Sequence, residues 1–243
     1  MRLMAFLYGV ACYGLTLAVF ALAIAFIGDF TPALSIDRGA TIPPAQALAV
    51  DLGLLALFAL QHSVMARPAF KRLFARVVPA SLGRSSYVLF SNAALVLLLA
   101  GWQPIPSVLW ETGGVLGTAL RVLQCSGWGV LIASTFMISH TDLFGLKQVH
   151  AVLEARPVEP PRFRVVAFYR VVRHPIMLGF LIAFWAAPRM TAGHLVFALA
   201  MTAYILAALR LEEADLVREL GDTYRDYQRR VPMLVPGIKA WRR

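Results

Sequence analysis

The stretch IMLGFLIAFWAAPRMTAGHLVFALAMTAYILAALRLEEADL, residues 176–216, decides the fold. Two apolar arms, 176–188 and 195–209, are separated by the polar break RMTAGH, and the second arm runs directly into Glu212 and Glu213. A helix needs about 20 apolar residues to cross hydrocarbon. At 1.5 Å per residue the first arm reaches only about 20 Å. The region therefore predicts a helical hairpin over 175–210, either partly re-entrant or making two complete crossings.

Upstream, four apolar runs are long enough to span a bilayer, at about 3–27, 45–66, 86–103 and 117–140. Composition agrees: 59% of the 243 residues are hydrophobic, 15% are charged, and the mean hydropathy is +0.69. That balance excludes an ordinary soluble domain. The fold class is all-α, a polytopic integral membrane helix bundle with four full spans, a C-terminal helical hairpin and a cytoplasmic amphipathic helix. The amphipathic helix is read after Leu211, where acids and bases interleave with Leu216, Val217, Leu220, Tyr224 and Tyr227, and it ends near Val231-Pro232. No internal repeat is apparent, and residues 1–243 read as a single membrane domain. The N-terminal run is too long for a signal-peptide core and is expected to stay in the mature protein.

Charge sets the orientation. The net charge is +10, and the connection 67–84 carries five Lys/Arg, 141–173 six and the tail from 210 eight, whereas 28–44 and 104–116 together carry only Arg38. The rich segments are expected to face the cytoplasm, placing both termini inside a bacterial inner membrane and requiring an even number of passes. Bases dispersed among short loops also argue against nucleic-acid binding, which needs a basic face on a folded domain. Cys12 and Cys125 lie in apolar runs without metal-ligand spacing, so buried thiols are expected, with no disulfide and no metal site.

Polar side chains are costly in a bilayer, so their positions carry information. Gln61 and His62 close the second span, His140 and Asp142 close the fourth, His174 opens the hairpin, and Glu212 with Glu213 closes it. All fall on the expected cytoplasmic side. One glutamate of the pair should face inward and one outward. Arg170, Arg173 and Arg210 read most simply as interface anchors. His194 lies on the opposite side and reads as structural, and His150 as a solvated loop residue. The basic residues and first-turn amides of the hairpin favour an anionic group, and a buried acid favours a cation.

The blocks RHPIMLG (173–179), EEADL (212–216) and YRDYQRRVPMLVP (224–236) resemble the ordered pattern of the isoprenylcysteine carboxyl methyltransferase and phospholipid methyltransferase superfamily. This resemblance covers about the last 70 residues. Farther upstream, LFALQHSVMARPAFKR (57–72) and SHTDLFGLKQV (139–149) resemble the methanethiol S-methyltransferase branch. The resemblance implies S-adenosylmethionine as methyl donor and methylation of methanethiol to dimethyl sulfide at a cytosol-facing intramembrane site. It implies that the cofactor is held by the loop 141–174, including Gln148, and by the tail 211–243. Tyr169, Arg173, His174, Pro175 and Gly179 carry over to one cofactor block, and Arg210, Glu212 and Glu213 to another. Met177 departs from the pattern, which commonly has tyrosine there.

Pro175 suits a first helical turn, and Gly179 permits a ligand or a neighbouring helix to approach closely. One glutamate would hold the methionine ammonium or a ribose hydroxyl, and an arginine the carboxylate. A thiol acceptor needs a base, since the thiolate is the nucleophile. His62 or His140 is expected to serve, oriented by Gln61 or Asp142, with Phe136 and Phe144, four residues either side of His140, walling a small apolar pocket. Besides this thiol and membrane lipid no partner is predicted, and oligomeric state is not specified. Alternatives are methylation of a prenylcysteine or lipid acceptor with the same cofactor, a haem protein using His62 and His140 as axial ligands, and a transport protein or scaffold.

Overall fold

The computed structural model describes residues 1–31, 33–158 and 163–237. Parts of the expected cofactor loop (159–162) and of the expected tail (238–243) lie outside them. In chain order the helices are α1 (Arg2–Gly28), α2 (Pro44–Ala66), α3 (Pro68–Phe74) and α4 (Ala80–Gly101). Strand β1 (Val108–Glu111) leads into α5 (Gly114–Ile138), α6 (His140–Leu143), α7 (Leu146–Leu153) and a 3-10 turn (Ala167–Arg170). Then come α8 (Pro175–Trp185), β2 (Arg189–Thr191), α9 (Ala192–Leu220) and α10 (Asp222–Arg230). Five helices, α1, α2, α4, α5 and α9, are long and apolar enough to cross a membrane. The protein is thus an all-α, polytopic integral membrane protein.

The chain folds into two compact units, one of residues 1–107, 139–162 and 192–194, the other of 108–138, 163–191 and 195–243. In the first, α4 packs against both α1 and α2, and α7 lies against α1. Gly9 makes that approach possible, because a Cβ there would sit 2.5 Å from a methyl of Val149. Helix α4 starts at Ala80, six residues before the expected span. The polar run SLGRSS that masked its start turns inward: Ser85 and Ser86 are buried, and Ser86 shares a 2.9 Å hydrogen bond with Tyr8. Asn92 donates to Thr16 at 2.8 Å on the same helix pair. Each buried polar group paired between helices avoids the cost of an unsatisfied one.

In the second unit α8 packs along α5. Helix α8 has 11 residues, or about 16 Å, half a hydrocarbon core. It is nonetheless matched to most of α5. Tyr169, just before α8, donates to the Ser134 carbonyl, Gly179 packs on Gly127, the Ala183 carbonyl accepts from Gln124, and Pro188 accepts from Thr112. From Ser134 to Gly114 the rise along α5 is about 30 Å. The chain keeps pace by leaving the helix and extending through Ala186–Pro188 into β2, which pairs antiparallel with β1. The freed carbonyls are satisfied, Ala187 by the Trp110 indole and Pro188 by Thr112. The short arm therefore runs beside α5 as helix α8 followed by non-helical chain and strand β2. The sequence left that open, and nothing in it announced the strand pair.

Three further expectations are corrected. The acidic block does not begin an amphipathic helix: Glu212 and Glu213 continue α9, which runs 29 residues to Leu220. The break falls at Gly221, whose φ of +59° suits glycine, and α10 is the separate amphipathic piece. The fourth span ends at Ile138, because Ser139 is extended and His140 starts another helix. Cys12 is buried as expected, but Cys125 is exposed.

Candidate functional site

Each unit holds its own polar cluster. In the second unit His174 stands just before α8 and Pro175 occupies its first turn. The returning chain docks here: the amides of Arg173 and His174 donate to the carbonyls of Pro232 and Met233 at 2.9 and 3.2 Å. Arg173 is buried, contrary to its reading as a snorkelling anchor, whereas Arg170 and Arg210 are exposed. Its guanidinium forks onto Glu213, with Nε to Oε1 at 2.6 Å and Nη2 to Oε2 at 3.1 Å, while Nη1 donates to the carbonyls of Gln228 and Val231. His174 Nε2 meets Glu213 Oε1 at 2.9 Å, Gln228 donates to Oε2 at 3.0 Å, and the Tyr224 hydroxyl donates to Oε1 at 3.5 Å.

Glu213 is thus the inward glutamate and its carboxylate is saturated. Glu212, one position on, points outward. Neither Glu212 nor Arg210 makes a hydrogen bond or ion pair among the described residues. Below the hub, Tyr224, Tyr227 and Val231 form a core with Val165, Leu216, Val217 and Leu220. The Tyr227 hydroxyl donates to the Tyr169 carbonyl at 2.5 Å. Burial pushes the Tyr227 phenol up to about 12, and those of Tyr169 and Tyr224 above their ordinary range, so all three remain donors at neutral pH. The approach that Gly179 permits is that of α5: a Cβ there would lie 2.6 Å from the Gly127 carbonyl oxygen.

In the first unit His62 is held by α4. The Tyr87 hydroxyl lies 2.8 Å from its Nε2, Ser91 Oγ is 3.1 Å from its Nδ1, and the Phe58 ring stacks on it at 5.4 Å. Gln61 does not orient it. Its amide donates to the Met65 sulfur, leaving a buried Oε1 without a partner among the described residues. His140 Nε2 lies 2.8 Å from the Tyr13 hydroxyl, with the Phe144 ring centroid 4.9 Å away. Burial lowers the His140 pKa, favouring the neutral imidazole that can accept a proton. Asp142 accepts from Gln148 at 2.5 Å instead of orienting a histidine. Phe136 is exposed near the end of α5, and the extended Ser139 interrupts the helix between it and His140. His150 is on helix α7 with Glu154 3.5 Å away, not in a loop. His194 is fully buried with Asp37 3.5 Å away, in keeping with a structural role.

Sequence reasoning missed Tyr13, Tyr87 and Ser91 in the first unit and Tyr224, Tyr227 and Gln228 in the second. For Tyr87 and Ser91 a signal exists: polar groups four apart on an apolar helix share a face.

These features define a class, that of polytopic helical membrane proteins with a buried Arg-His-Glu centre at the C-terminal end. The chain belongs to the NnrU family, matching the NnrU protein description over residues 52–240. Among curated proteins it is 50% identical over 242 residues to methanethiol S-methyltransferase 2 of Bradyrhizobium diazoefficiens, covering all of this chain and 93% of that one. It is 49% identical to methanethiol S-methyltransferase of Mycobacterium tuberculosis, with 97% of each chain covered. The enzyme of that name from Crocosphaera subtropica is 44% identical, over 98% of this chain and 93% of its own. The branch that the upstream blocks resemble is the one these relatives are named for. No solved structure matches the chain.

Proposed function

We propose that this protein is an S-adenosylmethionine-dependent thiol S-methyltransferase that converts methanethiol to dimethyl sulfide. The observation that carries the reading is the alignment of the whole chain, at 50% identity, with a protein of that name. The same full-length alignment supports one membrane methyltransferase domain. The distribution of Lys and Arg supports a bacterial inner membrane with both termini in the cytoplasm.

The chain's residues suit the donor. S-adenosylmethionine supplies an electrophilic methyl group on a sulfonium sulfur. Arg173, His174 and Glu213 neutralise one another, so they frame the donor site rather than clasp the ligand's charges. Arg210 and Glu212 carry uncommitted opposite charges, and at i and i+2 they project from different sides of α9, so they engage separate groups. Arg210 suits a carboxylate, and Glu212 an ammonium or a ribose hydroxyl. Tyr169, Pro175 and Gly179 fix the chain around His174. A neutral histidine, His62 or His140, takes the thiol proton, and Gln61, Asp142, Phe144 and Phe136 remain acceptor-side candidates.

The test is headspace analysis of purified membranes supplied with methanethiol and S-adenosylmethionine. Dimethyl sulfide is expected. Product from prenylcysteine or lipid acceptors but none from methanethiol would refute the assignment.

A further inference from the structure

The first unit contains a cavity of about 300 Å³ at the expected cytoplasmic ends of α2 and α4. Phe70 and Phe74 give it an apolar side, and Arg84 and Gln148 a polar one. Lys71 and Tyr87 also line it, but both are engaged within the protein. Arg84 commits Nε to the Leu143 carbonyl at 2.8 Å and holds its guanidinium 5.4 Å from the centre of the Tyr87 ring. The cation is thereby fixed in place, while its two terminal nitrogens have no hydrogen-bond or ion-pair partner among the described residues. Gln148 is oriented too. Its amide nitrogen donates to Asp142 at 2.5 Å, and because a carboxylate accepts, the other end of the amide is the oxygen. That Oε1 is buried, with no donor among the described residues. The cavity thus presents a guanidinium to an anion and an amide oxygen to a donor.

The surroundings say where such a ligand comes from. Phe70 and Phe74 stack on α3 with ring centroids 5.6 Å apart. On the same short helix and the turn after it, Leu73 and Val77 are exposed beside Arg72 and Arg76, which are exposed and unpaired among the described residues. Exposed apolar side chains interleaved with cations, next to the ends of two spans, suit the headgroup layer of an anionic leaflet. At about 30 Å³ per water-sized group the cavity takes about ten heavy atoms, the size of a phosphoglycerol headgroup.

We propose that this cavity binds the headgroup of an anionic phospholipid from the cytoplasmic leaflet, its phosphodiester on Arg84 and a headgroup hydroxyl on Gln148 Oε1. The acyl chains leave along the apolar side that α3 provides. A choline headgroup is rejected twice, since it brings a second cation toward Arg84 and no donor to Gln148. Gln148 is then a lipid contact instead of the cofactor contact that the resemblance implied.

The test titrates the purified full-length protein in detergent with short-chain phosphatidylglycerol, phosphatidylmethanol, phosphatidylcholine or free glycerol phosphate, and counts bound lipid by native mass spectrometry. Phosphatidylmethanol keeps the anionic phosphodiester and lacks the hydroxyls. One phosphatidylglycerol is expected to bind at least about tenfold more tightly than phosphatidylcholine and about fivefold more tightly than phosphatidylmethanol, the scales of a charge-assisted and a neutral hydrogen bond. Arg84→Gln should weaken phosphatidylglycerol binding at least about tenfold. Gly83 also lines the cavity and a Cβ on it meets nothing within 4 Å, so Gly83→Leu fills the space without removing a charge and should weaken binding as much. Gln148→Met should erase the preference over phosphatidylmethanol alone, and the double variant Arg72→Gln, Arg76→Gln should have the smallest effect. If Arg84→Gln and Gly83→Leu both bind like the wild type while the double variant does not, surface charge alone attracts the lipid and the proposal is overturned. Equal binding of phosphatidylcholine would overturn it as well. So would displacement of the lipid by an equal concentration of glycerol phosphate, which would make the ligand a soluble phosphate ester.

Discussion

The Glu213 hub and the His62 chain solve opposite problems with the same kinds of side chain. The hub is ionic and closed, because every carboxylate lone pair is engaged and Arg173 is fixed by two carbonyls as well. The His62 cluster is built from the Tyr87 and Ser91 hydroxyls and the Phe58 ring, and beside it Gln61 keeps a buried acceptor without a partner among the described residues. A closed ionic centre holds a shape, whereas a cluster of hydroxyl and imidazole groups can donate or accept. His174, read from the sequence as part of the cofactor block, sits in the ionic hub, and His62, read as a candidate base, sits apart from it in the other unit.

The sharpest way to break this comparison is Glu213→Ala, which strands a buried Arg173. A loss of about 3–5 kcal/mol is expected from removing one partner of such a pair. Thermal unfolding in detergent measures it, and an unchanged transition would show that the hub is not a frame. Gly179→Ala attacks the same region through packing, since its methyl would meet the Gly127 carbonyl. The expected cost is about 1–3 kcal/mol, typical of overpacking.

Alkali provides a milder probe. Tyr227 is raised to about 12 from the usual 10, so the neutral phenol is favoured in the folded state. That stability is present below pH 10 and is lost as pH rises toward 12. Following tyrosinate absorbance alongside unfolding should show Tyr227→Phe with a flatter alkaline limb than wild type, and identical limbs would contradict it. The smallest stability effect belongs to Glu212→Gln, within about 0.5 kcal/mol as for other surface changes. Its S-adenosylhomocysteine affinity should nevertheless fall, which calorimetry would detect. Equal affinity would remove Glu212 from the donor site.

The long apolar runs were legible because length against bilayer thickness is a strong constraint, and α1 and α2 fall within a residue of their expected bounds. The start of α4 was hidden because inward serines read as loop. The β1–β2 pair was hidden because three or four residues carry no periodicity. At the site, the separation of Glu212 from Glu213 followed from helical geometry. That Glu213 would be consumed by Arg173 did not, since it depends on residues 228–233 folding back across more than 50 positions.

That return has a consequence for biogenesis. Arg173 is synthesised 58 residues before Val231, whose carbonyl helps to hold its guanidinium. While α8 and α9 are being inserted, the arginine has no final partners and must stay hydrated at the interface. The centre can therefore be completed only after residues 228–231 have been made, which sets its assembly after the insertion of α8 and α9.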